Sequence, residues 1–381
     1  MTEEMTASCR AKRWCGRRAR RKRWDSGGFG AVRPLAFGFA VLFVTLITVE
    51  TVVAQSNPSS PDASPSTEPR PSSPPEAAYG AGANKFQERV DAAARALHDD
   101  PQFKHLPLRY LQGLVEFVSG NALFVVLHEL GHAAITEMGL PVLGRMEDAA
   151  DTFAALRLIR IGSDFSHRVL IEAAKGWFLA DRRDRRTGDK VQFYDEHGLN
   201  QQRAYEIVCL MVGSDQAKFK DLAKETMLPE ERRDTCAGDY SNAVYSWDLV
   251  LRPHLSLNLP DRAKTEVDAI YGPATGRAAI AQQVLRSVRL LQTVTEHVAN
   301  DYVWPIPFTL EMESCGFSNA RWDLKAHKLV FCYELATDFA DLYREYGGSR
   351  ESLGAAATSS DNAIGEPGRK PPRRPTRRKG K

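Results

Sequence analysis

The central part of the chain lacks the net positive charge that its overall composition shows. The 381 residues carry a formal net charge of +3, but residues 1–54 and 347–381 hold +6 each, which leaves −9 for residues 55–346. A mildly acidic folded part excludes nucleic acid as its partner, because a phosphate backbone asks for a basic face. Cysteine pairs at CxxC spacing are missing, so nothing supports a second, cysteine-built zinc site. No segment repeats internally, which sets aside stacked-repeat architectures. Strand-like alternation is rare until the C-terminal third, and large apolar side chains are nearly absent from residues 56–84.

What is present begins with an export signal. Residues 1–33 are polar and basic, an apolar stretch follows from Leu35 to about Val49, and Val52 and Ala54 stand at the −3 and −1 positions of a cleavage site. This pattern describes a secretory signal peptide over residues 1–54. Uncleaved, residues 35–54 are nearly long enough to anchor the chain in a membrane. The expected location is therefore the periplasm or outside the cell, with an inner-membrane anchor as the alternative. Residues 55–84, rich in Pro, Ser, Ala and Glu, read as a flexible linker, and residues 347–381 as a basic disordered tail. The domain that remains is 85–346.

Cys209, Cys236, Cys315 and Cys332 lie in this domain. Four cysteines in an oxidising compartment suggest two disulfides, with three possible pairings. The pairing Cys209–Cys236 with Cys315–Cys332 closes two local loops and is the one we expect.

Helical spacing dominates, with segments at about 86–98, 108–138, 147–161, 166–182, 199–212, 216–226, 230–251 and 276–300. Gly139 followed by Pro141 ends the second of these. Near the C-terminus, Phe308–Ser314 alternates, Cys315–Asn319 turns and Lys328–Tyr333 returns, which reads as a hairpin. A helix follows to about Tyr346. The expected class is α+β, mainly helical, with a small C-terminal β-hairpin.

His128, Glu129 and His132 form an HExxH on the second helix, after the apolar turns Leu123–Leu127. Two histidines four apart share a helical face, so both imidazoles can grip one metal ion, and Glu129 between them can reach water beside it. Zinc hydrolases need this layout: neutral nitrogen ligands, an open coordination position and a carboxylate that takes a proton. A third ligand is required. Met138 stands where an extended motif would place a third histidine, so that class is excluded. Glu147 and Asp151 open the next helix on one face. Spacing alone leaves two roles open for Glu147: metal ligand, or an acid placed to favour the helix dipole.

The motifs His128–His132, Gly144-Arg145 with Glu147–Asp151, Asp195–Arg203, and Cys315–Asn319 with Cys332–Leu335 together resemble a bacterial family of metallopeptidases classed as a domain of unknown function. The likeness covers about 105–345. More distantly, Glu147 with Asp151 is similar to the glutamate-plus-aspartate arrangement of thermolysin-like gluzincins. The resemblance implies a zincin-like domain with His128, His132 and Glu147 as zinc ligands, Glu129 as general base and Asp151 supporting a ligand histidine.

His197, in Asp195-Glu196-His197 before the helix carrying Gln201, Gln202 and Arg203, is our candidate for the donor that stabilises an oxyanion; Tyr205 is the alternative. His98, His105, His167, His254, His297 and His327 have no partner at ligand spacing and read as surface or packing residues. In zincins a strand edge usually lines the cleft, and here the hairpin 308–333 is expected beside the metal helix. The function expected is an exported zinc-dependent peptidase acting on peptide or protein substrates. The rival is a non-catalytic envelope protein whose zinc is structural.

Overall fold

A computed structural model describes residues 76–189, 193–262 and 265–346. The signal segment 1–54, linker residues 55–75 and the tail 347–381 lie outside the described residues. Among the described residues, ten α-helices and four strands follow one another: α1 (Glu76–Asp99), α2 (Leu108–Glu137), α3 (Met146–Ile161), α4 (Asp164–Thr187), α5 (Asn200–Ser214), α6 (Lys220–Glu225), α7 (Glu230–Leu251), β1 (Val267–Tyr271), α8 (Gly276–Ser287), α9 (Leu290–His297), β2 (Phe308–Glu313), β3 (Ala320–Asp323), β4 (Lys328–Cys332) and α10 (Tyr333–Glu345). The fold is α+β and mainly helical.

α2 is the axle of the molecule. It is apolar on nearly every side, from Leu111 to Ile135, and such a helix must be surrounded. It is long and apolar enough to cross a membrane by length and composition, yet most of that stretch is buried inside the protein. α1, α3, α4 and α10 pack around it, and α5 and α7 form an outer pair. Gly120 does not interrupt the helix, because the spot a side chain would fill lies 3.2 Å from Glu172 Cβ on α4. Gly139, at φ 64, takes the left-handed turn that stops α2.

The sheet has the order β1-β2-β4-β3. β1 and β2 run parallel, β2 and β4 run parallel, and β3 is antiparallel to β4. The hairpin read from 308–314 and 328–333 is therefore corrected. Those two strands are parallel neighbours, and the hairpin joins the unforeseen β3 to β4. β3 has only four residues, all half-buried, so it gave no alternating signal. β1 was also unforeseen. The segment 276–300 divides into α8 and α9, because Arg289 at φ 57 breaks the helical path. The helix backbone of α1 starts at Glu76, inside the segment read as linker, where Ala77, Ala78, Ala81 and Ala83 favour helix over coil.

Cys209 is bonded to Cys236, tying α5 to α7, and Cys315 to Cys332, tying the β2–β3 turn to the end of β4. Loops of 27 and 17 residues are closed in this way, each constraining the unfolded chain by about 3 kcal/mol.

Candidate metal centre

His128 and His132 lie one turn apart on α2 and face the start of α3. A glycine makes that meeting close. A side chain on Gly131 would begin 3.1 Å from Ala150 Cα and 3.3 Å from the Phe153 ring. With nothing there, the first turns of α3 settle against the histidine face and bring Glu147 and Asp151 with them.

Three donor atoms converge. Glu147 Oε2 lies 3.1 Å from His128 Nε2 and 3.3 Å from His132 Nε2, and the two Nε2 atoms are 3.1 Å apart. Ligands at the corners of a tetrahedron with bonds of about 2.0 Å stand about 3.3 Å apart. The triangle therefore fits one small divalent ion, with two neutral nitrogens and one carboxylate to hold it. These three residues form the one group among the described residues able to hold a metal. Asp148, the neighbouring acid, turns away to Arg145 at 2.8 Å.

The supports are as specific as the ligands. His128 Nδ1 meets Asp151 Oδ1 at 2.7 Å, which leaves Nε2 facing the triangle with its lone pair. Asp151 is itself gripped by Arg203, whose Nε and Nη2 donate to its two oxygens at 2.6 and 2.7 Å. The Arg203 guanidinium lies 3.7 Å over the Trp177 ring. His197 meets the cluster through Glu147, with Nε2 at 2.9 Å from Oε2. Its own backbone N–H and Nδ1 are held by Asp195 at 2.9 and 3.1 Å.

The charges of these side chains lean on one another. Burial opposes a charge on His128, but the Asp151 and Glu147 carboxylates outweigh it and push the imidazole up to about 9. Burial would raise Glu147, yet bonds from His128, His132 and His197 hold it well below the usual carboxylate range. Asp151 is likewise held low by Arg203 and His128 against its burial. A cation held by these groups would displace the proton from His128.

Glu129 is not among the donors. It lies buried beside them, where burial pushes its carboxyl up, opposed by His128 and His132. The backbone amide of Trp322 in β3 draws that carboxyl slightly back down, and β3 packs along α2. Tyr205 donates instead to the Thr226 carbonyl at 3.1 Å. His167 packs edge-on against Phe219, and His327 pairs with Glu137 at 3.2 Å; the His297 side chain lies outside the described residues.

No role was read from the sequence for Arg203, Trp177, Asp195 or the Trp322 amide. Arg203 had a signal: it shares the buried stripe of α5 with Ala204, Ile207 and Val208, and a buried arginine needs a partner. The Trp322 amide had none, since every residue but proline carries one.

A helical domain with two histidines and a glutamate able to hold a metal, and a second glutamate beside them, is thus what fold and site define. A family model described as "Putative metallopeptidase" matches residues 91–251 and 271–364. The chain belongs to that family. No curated protein and no solved structure matches it.

Proposed function

We propose that this protein is an exported zinc-dependent peptidase. The observation that carries the reading is the three-sided donor set, with a buried carboxylate beside it and not in it. Structural zinc sites close with four protein ligands, while catalytic ones keep three and leave a position open. Two imidazoles and one carboxylate suit zinc. Zinc held there would polarise a substrate carbonyl and make water more acidic.

The side chains divide the remaining work. Glu129 takes a proton from the attacking water as its oxygen bonds to the scissile carbonyl carbon. When the carbon–nitrogen bond breaks, Glu129 returns that proton to the leaving amine. Its raised pKa suits a group that must both accept and give a proton. His197, braced by Asp195, donates to the carbonyl oxygen as charge builds on it. Asp151 fixes the ring of His128. β3 offers a backbone edge beside the site, on which an extended peptide can lie. Two disulfides suit an oxidising compartment and support export to the periplasm or beyond.

The test is metal analysis of the purified protein alongside cleavage of a peptide library by wild type and Glu129→Gln. The expected result is one zinc per chain in both, with cleavage only by wild type. Bound zinc without cleavage by wild type would favour the structural role, and cleavage unaffected by Glu129→Gln would remove Glu129 from the chemistry.

A further inference from the structure

The sheet has two edges, and only one belongs to the metal centre. β1, at the other edge, pairs among the described residues with β2 alone. Phe308 donates to the Glu266 carbonyl and Gly272 donates to the Met312 carbonyl, so the even-numbered backbone groups face β2. By alternation, the N–H and C=O groups of Val267, Ala269 and Tyr271 face outward. Ile270, on the strand's exposed face, shows 45% of its surface.

Across from this edge stands the turn between α8 and α9. Ala269, Ile270, Tyr271, Arg286, Arg289 and Gln292 line a cavity of about 450 Å³ between the two. The groove is held rigidly: the Tyr271 hydroxyl accepts the Leu291 N–H at 2.9 Å and lies 3.1 Å from Gln292 Oε1. Arg286 is exposed and has no ion pair among the described residues. Arg289 pairs with Glu296 at 3.1 Å, and both are about half exposed, so a ligand can compete for it. The acid on the strand itself is Asp268.

Arg289 carries a further sign. It sits at φ 57, a left-handed conformation normally left to glycine or asparagine. A large residue held there strains the backbone, and such strain gathers where side chains are used.

We propose that this groove binds an extended acidic segment of a partner protein by strand addition. The partner's backbone pairs with Ala269 and Tyr271, and its carboxylates meet Arg286 and Arg289. The charge chooses the occupant. The chain's own C-terminal tail carries +6 and would be repelled by the two arginines.

Fluorescence anisotropy on the full chain tests this with three ten-residue peptides: alternating Glu and Val, its Lys counterpart, and the acidic peptide N-methylated at alternate residues. The acidic peptide should bind saturably, and the other two at least about ten-fold more weakly. Arg286→Glu should cost about ten-fold as well. Arg289→Gly should cost the same while holding the melting temperature within about 3 °C, since it relieves the strain. Absence of saturable binding overturns the proposal, as does binding indifferent to N-methylation or to the arginine substitutions. Sedimentation showing a dimer that Ile270→Lys dissolves would assign the groove to a second copy and overturn it too.

Discussion

Replacing Arg203 tests whether the metal centre is built from the back. In Arg203→Met the stem volume is kept while Asp151 loses both bonds, at 2.6 and 2.7 Å, from a site where donor and acceptor are each about nine-tenths buried. Removing one partner of a buried, hydrogen-bonded ion pair costs about 3–5 kcal/mol, because the other charge stays behind. His128 still meets Asp151, and the loss should fall toward the lower figure. For a domain of this size 1 kcal/mol moves the melting temperature by about 2–4 °C, so the metal-free variant should melt about 6–12 °C lower. The metal effect is separate. An Asp151 no longer held in plane orients His128 poorly, and such a loss weakens metal binding by about 10–100-fold.

Arg203→Lys separates charge from geometry. Lysine keeps the cation but not the two-pronged fork or the stack on Trp177, so it should restore much of the stability and little of the affinity. Zinc competition with a chromophoric chelator gives the affinity, and urea unfolding of metal-free protein gives the stability. In an Asp151→Asn background, Arg203→Lys should add almost nothing to the affinity loss, since both act through one carboxylate. Wild-type zinc affinity in folded Arg203→Met would refute the reasoning, and full additivity with Asp151→Asn would show that Arg203 acts by another route.

Three further outcomes follow from the same geometry. Gly131→Ala should push α3 off the histidine face, since the new methyl meets backbone at 3.1 Å; we expect about 1–3 kcal/mol of destabilisation and at least ten-fold weaker zinc binding, with unchanged affinity refuting the close approach. Glu172 is pushed up to about 7 by burial, against an ordinary value near 4.5 when unfolded, so the folded state keeps a proton that the unfolded state has lost. Stability should therefore fall as pH rises from about 4.5 to about 7, and Glu172→Gln should recover up to about 3 kcal/mol at pH 8 and almost nothing at pH 4, read by urea unfolding at both. Cys315→Ser with Cys332→Ser should cost about 3 kcal/mol in urea unfolding and loosen the turn that leads into β3, whereas an unchanged midpoint would show that the 17-residue loop is held by other contacts.

The helical part of the fold was legible because its signals are local. A helix buried on all sides, such as α2, announces itself by apolar run and length, and Gly139 marks its end. The sheet was not legible for the converse reason. β2 and β4 pair in parallel across the intervening β3, and their register is set by contacts that no short window contains. A turn followed by a returning strand reads as a hairpin by default. Only the four half-buried residues of β3 reverse that reading, and four residues are too few to show a period.

The metal centre divides along the same line. His128, Glu129, His132, Glu147 and Asp151 were readable because two adjacent helices carry them at helical spacings. Spacing left two roles open for Glu147, metal ligand or helix-dipole acid. The tertiary approach permitted by Gly131 separates them, placing Glu147 against both imidazoles and leaving Asp148 to Arg145. The layer behind the ligands comes from farther away: Arg203 lies 52 residues from Asp151, and the Trp322 amide is on the far side of the chain from Glu129. A motif thus names the atoms able to hold a metal, while long-range packing decides their protonation and aim. Substitutions at Arg203 or Gly131, which touch no metal, should for that reason change zinc affinity as reproducibly as substitutions among the ligands, though by a smaller factor.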